Sequence, residues 1–151
     1  MTQAPIIYFL NGPNTNLYGA SAASHAPGVS FAGLQSDCEA LAEKLGLSLR
    51  FLQSNYEGQI VDWIQEARGS AAGLAINGAG LTYTSIAVLD ALLAFDKPIL
   101  EVHMSNIWKR EPFRHHSYIS RAATGVIAGL GARGYMLAIR TLAELVADGG
   151  K

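Results

Sequence analysis

Apolar and polar positions alternate between two periods along this chain. Ile6 to Leu10 form an unbroken apolar run that stops at Asn11-Gly12-Pro13-Asn14. Such a run predicts a strand buried on both faces, closed by turn chemistry. Phe31, Leu34, Cys38, Leu41 and Leu45 then recur at helical spacing between Ser30, a candidate N-cap, and Gly46, which predicts a helix with one face on a sheet. Leu47, Leu49 and Phe51 alternate with Ser48 and Arg50, the pattern of a strand buried on one face and therefore near a sheet edge. A second helix follows with Ile60, Val61, Ile64 and Ala67 on one face, then a strand from Gly73 to Ile76 closing on Asn77-Gly78-Ala79-Gly80. The pattern next predicts a helix from about Thr84 to Phe95 with Ile86, Leu89 and Leu93 inward, a strand from Pro98 to Val102 and another from Val126 to Ala128. A last helix carries Tyr135, Ile139, Leu142 and Val146 on one stripe.

Strands alternating with helices imply an α/β fold, a five-stranded parallel sheet covered by helices on both faces. The edge character of the second strand fits the flavodoxin-like order 2-1-3-4-5. In such a sheet ligands sit beyond the carboxyl ends of the strands, near the switch between strands one and three. This brings Asn11 to Asn14, Asn77 to Gly80 and His103 to Ser105 around one crevice.

Composition narrows the picture. The 151 residues fit one domain, and with 50% hydrophobic and 15% charged residues the chain is too apolar for disorder. No apolar run approaches the ~20 residues a bilayer span needs. So little charge on a small domain predicts burial between subunits. A net charge of −1 without a basic run excludes the footprint of a nucleic-acid or membrane-surface binder. The start, Met-Thr-Gln-Ala-Pro, lacks the pattern of a secretory signal, and the single cysteine, Cys38, has no partner for an internal disulfide, so a cytoplasmic location is expected. Cys38 lies on an apolar stripe, where a buried small hydrophobe is the expectation rather than a nucleophile.

No cofactor is expected. Gly129-Leu-Gly-Ala-Arg-Gly134 matches G-x-G-x-x-G, but a dinucleotide site needs a further strand ending in an acid about 20 residues on, and none follows. These glycines instead let the last helix approach the sheet closely. His115 and His116 are adjacent and His103 stands alone, so metal-ligand spacing is absent. His103 by itself reads equally well as a core histidine or as a functional one.

"NGPN" (11 to 14), "GLTYTS" (80 to 85), "EVHMSN" (101 to 106), "REPFRHHSYIS" (110 to 120) and "TGVIAGLGARGYMLAI" (124 to 139) occur in this order. As a set they resemble the type II 3-dehydroquinate dehydratases, from the first strand to the last helix. That resemblance implies a flavodoxin-like enzyme that assembles as a trimer-based dodecamer. It implies a cyclic hydroxy-acid as ligand and an anti elimination of water from 3-dehydroquinate. In this family a lid tyrosine, activated by a lid arginine, removes the C2 proton and a histidine protonates the departing hydroxyl. By resemblance His103 matches the histidine acid, Glu101 the group that orients it and Asn14 the asparagine that holds a water facing the enolate oxygen. Asn77, Met104 through its N–H, Ser105 and Arg114 match the groups that hold the carboxylate and hydroxyls. Asp90 and Arg110 match a pair that works across the trimer interface. A carboxylate with several hydroxyls needs such a cation and convergent donors.

The lid departs from that pattern. Laying "GASAASHAP" (19 to 27) on the family's lid without a gap puts Ser21 at the arginine and Ala26 at the tyrosine. A phenol serves as a base at neutral pH only if a cation lowers its pKa from about 10, so base and activator are lost together. General-base catalysis commonly supplies about 10²- to 10⁴-fold, and dehydratase turnover is therefore expected to be weak or absent. His25 beside the empty position, Tyr18 and Tyr83 are the candidate replacement bases. Tyr83 stands where the family usually has a histidine that contacts substrate, and Trp108 with the apolar lid suggests an altered ligand. The other readings are a non-catalytic binder of a quinate- or shikimate-like acid, and a different proton transfer on a related ring acid using His103.

Overall fold

A computed structural model describes residues 2–20 and 28–150 of the chain. The apolar runs form five parallel strands, β1 (Ile6–Asn11), β2 (Ser48–Gln53), β3 (Gly73–Asn77), β4 (Ile99–His103) and β5 (Gly125–Ala128), in the order β2-β1-β3-β4-β5. This is the expected flavodoxin-like sheet. Every residue of β3 and β4 is buried, whereas β2 at the edge alternates, with Ser48 and Arg50 exposed and Phe51 buried. The fourth strand begins one residue later than the pattern suggests, because Pro98 has no N–H to give, and it carries His103 as its last residue.

Four helices cover the sheet: α1 (Phe31–Lys44), α2 (Glu57–Ser70), α3 (Ile86–Leu93) and α4 (Ala132–Ala147). Ser30 caps α1 by accepting from the Gly33 N–H at 3.0 Å, and Gly46 ends it at a φ of 73°. On one face of the sheet Leu34 and Cys38 of α1 pack with Tyr135, Ile139 and Leu142 of α4 against Ile7, Phe9 and Val102. On the other, Ile60 and Ile64 of α2 and Val88 and Leu92 of α3 pack against Tyr8, Leu10 and Ile76. A Cβ added to Gly134 would lie 3.3 Å from Ile127 Cγ2, so the small residue does let α4 close on the sheet.

The third helix corrects the sequence reading. Leu89 faces inward, but Ile86 and Leu93 are 56% and 60% exposed, and Val88, Ala91 and Leu92 are buried in their place. Its sequence, IAVLDALL, is apolar around nearly the whole helix, so periodicity alone had two stripes to choose from; the sheet took the one that excludes Asp90. Among the described residues no helix is long and apolar enough to cross a membrane.

Candidate active site

The first and third strands end in tight turns pressed together. Gly12 donates its N–H to the Asn77 carbonyl at 2.8 Å, and a Cβ at Gly12 would lie 2.4 Å from the Gly78 oxygen. Only glycine permits that approach. It sets Asn14, held in the left-handed region at φ 70°, beside the end of β3. A pocket of about 340 Å³ opens there, lined among others by Asn14, Tyr18, Tyr83, His103, Arg110 and Arg114.

Strand geometry produces the central pair. Glu101 and His103 are two apart on β4, so both project to one face of the sheet. Glu101 is fully buried and His103 is 3% exposed. His103 Nε2 donates to Glu101 Oε2, and the carboxylate also accepts from Ser117 Oγ at 2.9 Å and Ser120 Oγ at 2.5 Å. Burial pushes the Glu101 carboxyl up, but His103 and the two serine hydroxyls outweigh it and leave it below the usual carboxylate range. An ionised Glu101 fixes the ring with Nε2 protonated, leaving Nδ1 without a partner among the described residues, at the wall of the pocket. That is the arrangement of a histidine set to give or take a proton at Nδ1.

Two guanidinium groups supply the positive side. Arg110 donates from Nη1 to Ser105 Oγ at 3.4 Å, and Arg114 donates from Nε to Glu111 at 2.8 Å while lying 5.3 Å over the Tyr83 ring. Tyr83 in turn stacks on His103 at 6.4 Å between ring centroids. Burial pushes the Tyr83 phenol above its ordinary value, against the pull of Arg114 and Arg110. Burial likewise raises Tyr18, against Asn77 donation and the Arg110 charge. Both phenols are therefore protonated near neutral pH, the reverse of what a general base requires.

Asn14, Tyr18, Asn77, Tyr83, His103, Met104, Ser105, Arg110 and Arg114 are brought together around this pocket, with Glu101 behind His103. Asp90 is not among them. It lies exposed on α3, lining a second groove with Val61, Gln65 and Arg68 of α2. Trp108 is 63% exposed, tilts against His115 and is not among the residues that line the pocket. Ser21, His25 and Ala26 fall outside the described residues. Sequence reasoning set Asn11 at the crevice and Tyr135 on the stripe of α4 but did not find that they hold Asn77 in place from within the core. No periodicity signals a polar bond between buried residues so far apart in the chain.

Among the described residues no group of three or more His, Cys, Asp or Glu could hold a metal ion. The model of the family "Dehydroquinase class II" matches residues 5–143. The chain is 54% identical to 3-dehydroquinate dehydratase 2 of Agrobacterium fabrum over 136 residues, covering 90% of this chain and 92% of the relative. It is 51% identical to 3-dehydroquinate dehydratase of Cereibacter sphaeroides over 143 residues, covering 95% and 97%. Its fold superimposes on the type II dehydroquinase of Butyrivibrio crossotus with a TM-score of 0.90 at 34% identity, covering 93% of this chain and 99% of that one. The corresponding figures for the enzyme of Propionibacterium acnes are 0.88, 37%, 95% and 98%. On the match along nearly its whole length, in sequence and in fold, the chain belongs to the class II (type II) dehydroquinase family.

Proposed function

We propose that this chain holds a cyclic hydroxy-acid of the 3-dehydroquinate type in the pocket at the strand ends, and that it dehydrates it weakly or not at all. The observation that carries the reading is the pairing of two guanidiniums with the buried Glu101–His103 couple across one small cavity. A carboxylate is held by Arg114, and His103 stands ready to protonate a leaving hydroxyl. Asn14, Met104 and Ser105 supply further donors on the same wall.

The base is what is missing. Ser21 and Ala26 stand at the family's arginine and tyrosine positions, and the two phenols in the pocket are held protonated. A steady-state assay of the conjugated enone product, run beside the Agrobacterium fabrum relative and on protein freed of host enzyme, is expected to show turnover lower by about 10²-fold or more. Equal turnover overturns the impairment. If residual activity is present and His25→Ala abolishes it, His25 is the replacement base.

The same observations favour a second reading, a binder without turnover. It expects thermal stabilisation by shikimate, lost in Arg114→Ala. No shift with shikimate or 3-dehydroquinate removes it.

Assembly belongs to this proposal as well. Ile86, Asp90 and Leu93 fall at i, i+4 and i+7 on the exposed face of α3, an apolar patch around one carboxylate. This supports a subunit contact in a trimer-based dodecamer, through which Asp90 reaches Arg110 of a neighbouring copy. A monomer by light scattering would remove it.

A further inference from the structure

Tyr18 is tied to the core by a chain of hydrogen bonds whose direction is fixed at both ends. Asn11 Nδ2 donates to the carbonyls of Phe9 at 3.3 Å and Leu52 at 3.1 Å. Carbonyls only accept, so the amide nitrogen must face them and Oδ1 must face the other way. Tyr135 therefore donates to Asn11 Oδ1, at 2.6 Å, and its oxygen is left to accept. It accepts from Asn77 Nδ2 at 2.8 Å. The orientation of the Asn77 amide is set independently, because Ala79 donates its N–H to Asn77 Oδ1 at 3.1 Å. The second hydrogen of Asn77 Nδ2 goes to the Tyr18 oxygen, at 2.8 Å.

Two consequences follow from counting hydrogens. Asn77 has both of its N–H groups on phenolic oxygens, so it offers a ligand no donor of its own. Tyr18, already accepting from Asn77, must send its one hydrogen elsewhere, and among the described residues no acceptor for it exists. The ring lines the pocket beside Tyr83 and Arg110.

We infer that Tyr18 is a specificity residue that donates a hydrogen bond to an acceptor-only oxygen of the bound ring acid, and so selects a ketone over the corresponding alcohol. This rests on the ring-acid reading of the pocket. A ketone oxygen meets the Tyr18 O–H with nothing left over. A hydroxyl in the same place also accepts that hydrogen, but it brings one of its own towards a wall where Asn77 and Tyr18 have already turned their donors. The relay makes the preference stiff: for Tyr18 to give its hydrogen to Asn77 and meet the ligand as acceptor alone, Asn77 would have to turn over, setting its N–H groups against the Ala79 N–H and abandoning Tyr135. Burial keeps the phenol protonated, which is what a donor requires. The role is one of positioning and selection, and no proton leaves Tyr18.

The probes are 3-dehydroshikimate and shikimate, which differ only in ketone against alcohol at one ring carbon, titrated by calorimetry into wild type, Tyr18→Phe and Arg114→Ala. Wild type is expected to prefer the ketone by about tenfold. Tyr18→Phe brings that ratio close to one, whereas Arg114→Ala weakens both ligands and leaves it standing. An unchanged ratio in Tyr18→Phe overturns the inference. If neither acid binds wild type, the ring-acid reading fails and the inference that rests on it falls with it, an outcome distinct from binding with an unchanged ratio in Tyr18→Phe.

Discussion

Two buried polar networks meet at the same end of the sheet, and they are built on opposite principles. One centres on Glu101 and carries a full charge, matched by His103, Ser117 and Ser120. The other runs from Asn11 through Tyr135 and Asn77 to Tyr18 and carries none. The charged network sets a carboxylate against one ring nitrogen of His103 and fixes the ring by it. The neutral one does the reverse: every hydrogen from Tyr135 to Asn77 has one place to be, so it transmits direction rather than charge. The proposed pocket, which handles a proton and reads the polarity of its ligand, would use one of each.

The largest effect is expected at Glu101. Glu101→Ala removes the acceptor for three donors and strips a fully buried partner from His103, and urea denaturation is expected to show a loss of about 3–5 kcal/mol. Tyr135→Phe, on the neutral side, leaves Asn11 Oδ1 and one Asn77 N–H unmatched inside the core and is expected to cost about 1–3 kcal/mol. A loss from Tyr135→Phe exceeding that from Glu101→Ala would reverse the ranking of charge over direction.

Acid sharpens the same contrast. Glu101 is ionised below its ordinary value of 4.5 in the folded chain. Its contribution is therefore complete above that ordinary value and is lost as the pH falls through the lowered folded one. The stability gap between wild type and Glu101→Gln should shrink on acidification below about pH 4.5, while the gap to Tyr135→Phe stays level. A pH-independent gap for Glu101→Gln would remove the charge from the account.

The smallest effect is expected far from the pocket. Arg50 pairs with Glu66 and Tyr8 where α2 crosses β1 and β2, with both charged side chains nearly half exposed. Arg50→Ala should shift the denaturation midpoint little, and less still in high salt. Cys38 makes a chemical counterpart. Burial, with Asp37 and Glu39 nearby, pushes its thiol up to about 12, so iodoacetamide near neutral pH should leave the native protein unmodified and label it after unfolding.

Much of this was legible in the chain. Unbroken runs at Ile6–Leu10 and Gly73–Ile76, the alternation at Leu47–Phe51 and the stripes of α1 and α4 gave the strand order and both layers, because burial imposes its period on neighbouring residues. Helix α3 was misjudged because an apolar helix with one charge does not say which side faces the sheet. His103, Glu101, Arg114 and Asn14 were named by the resemblance their motifs carry, and the structure sets them together, with Glu101 behind His103.

What the sequence determined by itself, then, is the alternation of elements and the sheet they build, since each element is written within a short window of residues. Only the tertiary structure decided which hydrogens point where. Tyr135 and Asn11 stand 124 residues apart and Tyr18 and Asn77 stand 59 apart, and a hydrogen bond between them has no signature in either neighbourhood. Its direction follows from the carbonyls of Phe9 and Leu52, which become acceptors for Asn11 only when β2 lies beside β1.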